Sequence, residues 1–168
     1  MANTDNRADD LDRVWELLEK HSIGMLTTQF AGGLRSRPVD ARPDRAAGKI
    51  FFLTDINGHK DDEIAARPDV CFVVTVPGDH VYLSITARAA VSRDPAKAAQ
   101  IWKKADEVWW KGGASDPDLR VMRLDPVMAE LWDGPSNTLV AAYEFAKARL
   151  TGEKPLLGEN VKKTVAMR

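Results

Sequence analysis

The spacing of apolar residues near the start of the chain is that of a helix. Apolar side chains recur at i, i+3, i+4 and i+7, at Leu11, Val14, Trp15 and Leu18. This spacing predicts a short helix that ends at about Lys20, with Asp9 or Asp10 as its N-cap. Residues 1–10 are mostly small or polar, which predicts a frayed tail before the helix.

From residue 23 onwards, alternating apolar and polar positions and short apolar runs indicate strands. They are predicted at residues 23–30, 34–41, 49–54, 70–76, 81–91, 119–124 and 127–132, with residues 161–167 as a candidate last strand. Pro38 has no N–H to donate, so its strand lies at a sheet edge or is bulged there. Residues 43–48 are predicted as a turn, and Pro126 joins the sixth and seventh strands.

Short helices are predicted between and after these strands, at residues 61–66, 95–104 and 137–150. Pro95 suits the first turn of the second helix, and Gly152 is a stop signal after the third. The early strands follow one another too closely for crossover helices, which argues against a doubly wound parallel sheet. Six or seven hairpin-joined strands therefore predict a mainly β (α+β) fold, an antiparallel barrel with short flanking helices.

Composition narrows the class of protein. The 168 residues suit one domain, expected to span residues 11–168 after the tail. With 24 Lys+Arg against 25 Asp+Glu, no overall basic field attracts nucleic acid. No apolar run approaches the roughly 18 residues of a membrane span, and the polar start is unlike a signal peptide. A single cysteine and three scattered histidines predict no disulfide and no metal site. The expected location is cytoplasmic.

Two groups of cationic residues are candidates for binding an anion. Arg35 and Arg37 share one strand face, and their planar guanidinium groups suit phosphate or carboxylate. The loop from Thr54 to Lys60 opens a helix and combines a hydroxyl with a lysine. Each group alone is more typical of a solvated strand face or of ordinary helix capping. Together, Arg37 and Lys60 are candidates to converge on one phosphate.

The tryptophans are candidates for stacking on a planar ring, although most tryptophans pack in cores or interfaces. They are Trp102, Trp109, Trp110 and Trp132. No glycine-rich nucleotide fingerprint, nucleophile elbow or histidine pair is present, so the sequence identifies no catalytic side chain.

The order of several short motifs resembles one known family. They are Ser-Arg-Pro-Val at 36–39, Phe-Phe-Leu-Thr-Asp with a following lysine at 51–60, Tyr-Leu-Ser-Ile-Thr-Ala-Arg-Ala at 82–89, Trp102, Asp-Pro-Asp-Leu at 116–119 and Glu-Leu-Trp-Asp at 130–133. The chain resembles the general stress protein branch of the pyridoxamine 5'-phosphate oxidase-like, FMN-binding split barrels. The resemblance implies a split β-barrel homodimer with flavin at the subunit interface and a small-molecule redox partner.

The resemblance also implies roles for individual residues. Arg37, Pro38 and Val39 would line the flavin ring and ribityl chain, and Leu53 and Thr54 would contact the cofactor from the next strand. Lys60 would hold the phosphate beside His59, which stands where the authentic oxidases have arginine. Trp132 would reach the ring across the interface. FMN is the expected cofactor, with FAD or a deazaflavin as other candidates.

The chain also departs from the authentic oxidases. Gly58 stands where the family often has serine, and residues 136–140 replace the Arg-x-His-x-Arg stretch that grips the pyridoxal substrate. Three functions therefore remain open. They are a flavin-dependent oxidoreductase with another substrate, a flavin-binding stress protein without turnover, and a barrel that has lost its cofactor.

Overall fold

About half of the described chain forms one antiparallel sheet. The computed structural model describes residues 5–58, 60–133, 147, 149 and 161–167. Its strands are β1 (Ile23–Phe30), β2 (Gly33–Asp40), β3 (Arg42–Asp44), β4 (Lys49–Asp55), β5 (Asp69–Val76), β6 (Val81–Ser92), β7 (Leu119–Asp133) and β8 (Val161–Ala166). Its helices are α1 (Asp5–Lys20), α2 (Lys60–Ala66) and α3 (Pro95–Ile101). None of the helices in these ranges has the length and apolar character needed to span a bilayer.

The strand order is β2-β1-β5-β6-β7-β4-β3, and β8 also pairs with β7. β7 is long enough to have two partners along one edge, because its first half pairs with β4 and its second half with β8. β2 and β3 stand at the two ends of the order, so the sheet is not closed among the described residues. This arrangement confirms the predicted antiparallel split barrel, and it places Pro38 on an edge strand as expected.

Two predicted boundaries are wrong near the start of the chain. α1 begins at Asp5, so residues 5–10 are helical and Asp9 and Asp10 lie inside the helix rather than capping it. This first turn and a half has no apolar stripe, but Lys163 of β8 donates to the Asp10 carboxylate at 2.5 Å and helps to hold it. In the predicted turn at 43–48, the first two residues instead belong to β3, which pairs with the start of β4.

Two further boundaries differ because of local backbone geometry. α3 ends at Ile101 rather than Lys104, since Trp102 is extended and residues 104–108 form a separate 3-10 helix. The two strands predicted around Pro126 are one strand, β7, in which Val127 is the extra residue of an irregularity opposite Thr86 and Ala87. The predicted last strand is confirmed as β8. The predicted helix at 137–150 lies outside the described residues, apart from residues 147 and 149, which are helical.

The alternation of β4 decides what lies on each side of the sheet. Ile50 and Phe52 point into the main core, which α1 closes with Val14 and Leu18. Phe51 points the other way, into a smaller cluster with α3 and the start of β7. Leu53 and Trp110 pack against that smaller cluster, so it supports one wall of the cavity described next.

Candidate functional site

A cavity of about 500 Å³ lies beside β4, where β1, β2 and the start of α2 approach one another. Its apolar wall is formed by Ile23, Pro38, Val39 and Leu53. Thr54, Asp55 and Lys60 line it too, as do Asp40, Arg42 and the residues Ala105, Asp106, Trp109 and Trp110. A cavity of this size that combines an apolar wall with polar and charged side chains can hold a small organic ligand.

Lys60 and Thr54 give the cavity a group that can bind an anion. The Lys60 ammonium donates to Thr54 Oγ1 at 3.0 Å, and Thr54 is buried on β4. Burial lowers the pKa of Lys60, and the nearby Arg37 charge lowers it further, while Asp55, Asp61 and Glu63 oppose these effects. An ammonium with two further N–H donors can bind a phosphate oxygen at this position.

The positive charge of Arg37 acts on Lys60, but the Arg37 side chain does not line the cavity. Its guanidinium donates to Thr28 Oγ1 and to Glu63 Oε1, each at 2.8 Å. Hydrogen bonding from Arg37 is the main reason that the pKa of Glu63 lies below its usual value. The cations at 37 and 60 therefore lie near each other, but in this structure a carboxylate has already engaged the first.

The structure brings together five of the eight residues predicted for the site. Pro38, Val39, Leu53, Thr54 and Lys60 all line the one cavity, although they come from three separate elements.

The other three predicted residues are Arg37, His59 and Trp132. His59 lies outside the described residues. Trp132 is on β7, opposite Tyr82 and Lys162, and does not line the cavity of its own chain.

A buried ion pair in the cavity wall escaped the sequence analysis. Arg42 and Asp106 are each 8% exposed, and Arg42 Nη2 donates to Asp106 Oδ1 at 3.1 Å. Arg42 also contacts the Asp40 carboxylate, at 2.6 Å. Burial alone would raise the pKa of Asp40, but hydrogen bonds from Ser22 and Arg42, with nearby positive charge, hold it below its usual value. Arg42 therefore bridges the Asp40 and Asp106 carboxylates at this end of the cavity.

Comparison with known proteins shows the family of the chain. A family model described as "Pyridoxamine 5'-phosphate oxidase like" matches residues 9–156. The chain belongs to the pyridoxamine 5'-phosphate oxidase-like family. The resemblance inferred from the motifs is thereby confirmed. The sequence matches none of the curated proteins.

Solved structures of this family share the fold. A candidate general stress protein 26 from Jannaschia sp. CCS1 is 30% identical, with a TM-score of 0.73 over 96% of this chain and 99% of that one. The general stress FMN/FAD binding protein from Xanthomonas citri is 25% identical, with a TM-score of 0.69 over 79% and 94%. An FMN binding protein from Nostoc punctiforme PCC 73102 is 18% identical, with a TM-score of 0.58 over 79% and 85%, and shows the fold alone.

In this member of the family, one tryptophan stands at the rim of the cavity. The Trp109 side chain is 77% exposed, whereas Trp110 packs against Trp102 with ring centroids 6.3 Å apart. The backbone N–H groups of Trp109 and Trp110 both donate to the Asp106 carbonyl, so the buried ion pair also positions the rim. Within the described ranges, no group of three or more His, Cys, Asp or Glu side chains could hold a metal ion.

Proposed function

We propose that this chain binds a flavin, with FMN as the first candidate, and serves as a flavin-dependent oxidoreductase of the stress-protein type. The observation that carries the proposal is the single cavity in which Lys60 and Thr54 adjoin an apolar wall of Pro38, Val39 and Leu53. FMN has the same polarity along its length, because a phosphate ends a chain attached to a planar, largely apolar ring.

The residues present fit such a group in size and chemistry. A cavity of about 500 Å³ is within the range that holds cofactor-sized ligands. Lys60 supplies charge-assisted N–H donors and Thr54 a hydroxyl for the phosphate. The structural relative described as an FMN/FAD binding protein, at 25% identity, supports the same ligand class and leaves FAD as a second candidate.

The chain's own residues would bind and orient the cofactor. The flavin, when bound, supplies the redox chemistry. Lys60 and Thr54 hold its phosphate, and the apolar wall excludes water from one face of the ring. No side chain is assigned as a general acid or base. Residues 136–140 replace the motif that grips the pyridoxal substrate in authentic oxidases, so we propose a different small-molecule redox partner.

We test the proposal with the visible absorption spectrum of freshly purified protein. We expect the visible absorption bands of an oxidised flavin, and release of FMN on heating, identified by mass. Bleaching of these bands by a reduced nicotinamide nucleotide would support turnover. A stable flavin spectrum that no such donor bleaches would favour the carrier function. A colourless protein that takes up no added FMN would contradict flavin binding and favour a barrel that has lost its cofactor.

We also propose that two copies of the chain form a homodimer with the flavin at their interface. The outer face of the sheet exposes large side chains, including Met25 of β1, and Tyr82 and Met128 on the neighbouring strands β6 and β7. Trp132 lies beside Tyr82 on the same face. Apolar side chains in such rows are typical of surfaces that pack against a second copy.

Replacing Tyr82 by Glu is expected to shift the protein from dimer to monomer. The new carboxylate would be desolvated at the centre of the proposed interface without a partner. Analytical ultracentrifugation at several concentrations measures the change, and Ala46→Glu, in the exposed turn after β3, is the matched control. A monomeric wild-type protein, or a Tyr82→Glu variant that is as dimeric as the control, would contradict the proposal.

A further inference from the structure

Glu63 is a nearly buried carboxylate beside the anion-binding end of the cavity. It lies on α2, and its side chain is 9% exposed. One oxygen accepts from Arg37 at 2.8 Å and from Arg35 at 3.3 Å, and the other accepts from the Thr28 hydroxyl at 2.8 Å. Arg37 also donates to Thr28, so the carboxylate, the hydroxyl and the guanidinium form a closed network.

This network removes Arg37 from direct contact with the cavity. Arg37 is on the edge strand β2, and its guanidinium is directed at Glu63 and Thr28 rather than among the lining residues. Lys60 is three residues before Glu63 on the same helix and does line the cavity. Glu63 therefore binds Arg37 away from the cavity, whereas Lys60 lines the cavity.

The charges around Lys60 are nearly balanced as a result. Arg37 is the cation that acts on Lys60, and it is opposed by the carboxylates of Asp55, Asp61 and Glu63. Among these groups Glu63 is the one bonded directly to Arg37, so its charge cancels the second positive charge of the site. Lys60 and Arg37 together face three carboxylates, so the phosphate end has no excess positive charge with which to favour a phosphorylated ligand.

We propose that Glu63 sets how strongly this cavity discriminates between phosphorylated and unphosphorylated flavins. The inference rests on the proposed function. Glu63→Gln removes one negative charge and keeps the size of the side chain. Its amide oxygen can still accept from Arg37, and its amide NH₂ can donate to Thr28 Oγ1 in place of the hydrogen bond that Glu63 accepts from that hydroxyl. The added net positive charge acts on the phosphate and not on the neutral isoalloxazine ring. FMN should bind about tenfold more tightly and riboflavin equally well.

The test is a pair of fluorescence titrations, with FMN and with riboflavin, of wild type, Glu63→Gln and Asp62→Asn. Asp62 is the exposed neighbour on the same helix, so its variant removes the same charge where solvent screens it. The ratio of the riboflavin Kd to the FMN Kd should rise about tenfold in Glu63→Gln and stay near wild type in Asp62→Asn. An unchanged ratio, or equal weakening of both flavins, would overturn the inference and leave Glu63 a supporting residue of the fold.

Two further measurements cover the cases in which Glu63→Gln does not fold or no variant binds a flavin. If Glu63→Gln does not fold, Arg35→Gln tests the same charge balance from a half-exposed position, and the ratio should fall; an unchanged or higher ratio would overturn the inference. If neither flavin binds to any variant, the proposed function fails, and titration with inorganic phosphate then decides. Tighter phosphate binding by Glu63→Gln than by wild type would support the charge-setting role, and equal binding would overturn it.

Discussion

Replacing Lys60 by Gln is expected to weaken FMN binding about 10- to 100-fold. A hydrogen bond to a charged group contributes about 1.5–3 kcal/mol, and each 1.4 kcal/mol is tenfold in affinity. Glutamine keeps a hydrogen-bond donor near Thr54 but carries no charge. Riboflavin, which has no phosphate, should bind to the variant as it binds to wild type. Flavin fluorescence titration of the apoprotein measures both constants.

The pH dependence of binding provides an internal check on Lys60. Its folded-state pKa lies below the usual 10.5, chiefly because of burial, so the ammonium is lost at lower pH than in an ordinary lysine. FMN affinity in wild type should therefore fall as the pH rises through that lowered pKa, and this step should be absent in Lys60→Gln. Lys20→Gln, on the exposed end of α1, is the control for loss of a distant charge. Equal FMN affinity in Lys60→Gln and Lys20→Gln would contradict the assigned role.

Phe52→Ala is expected to cause the largest loss of stability. Phe52 is fully buried on β4, and its ring meets that of Phe72 edge-on, with centroids 5.2 Å apart. Truncating a buried phenylalanine costs about 3–5 kcal/mol, from lost burial and the cavity left behind. For a chain of this size the loss corresponds to a fall in Tm of about 6–20 °C. Urea denaturation and thermal unfolding measure it.

Leu34→Ala is the matched control for this substitution. Leu34 is apolar but exposed on the edge strand β2, so its loss should change stability by less than about 0.5 kcal/mol. Similar unfolding free energies for the Phe52→Ala and Leu34→Ala variants would show that β4 does not run through the main core as described.

Strands with a clear local pattern were predictable because the pattern is set by burial on one or both faces. The apolar run of β5 and the alternation of β6 are both of this kind. β3 could not be predicted from the sequence, because Pro43 and Asp44 suggest a turn. Only their pairing with Ile50 and Lys49 makes them a strand. The polar start of α1 was missed for a related reason, since an apolar stripe is needed to recognise a helix from sequence.

The residues of the candidate site also fall into those that the sequence could predict and those that it could not. Motifs close in sequence, such as the one that contains Leu53 and Thr54, could be assigned to the cavity from the resemblance. Arg42 and Asp106 could not, since they are 64 positions apart and neither stands in a recognisable motif. In the sequence, Glu63 is one of several charged residues on a short helix. Its contact with Arg37 is formed only in the folded chain. Charge balance within a cavity depends on such distant pairs.

We propose that Lys60 and Thr54 hold the phosphate of a flavin whose ring lies along Pro38, Val39 and Leu53. A crystal structure of the protein with FMN would test this arrangement. We predict phosphate oxygens within about 3 Å of Lys60 Nζ and Thr54 Oγ1, the usual length of a charge-assisted hydrogen bond. FMN bound with its phosphate away from Lys60, or with its ring outside this cavity, would contradict the account.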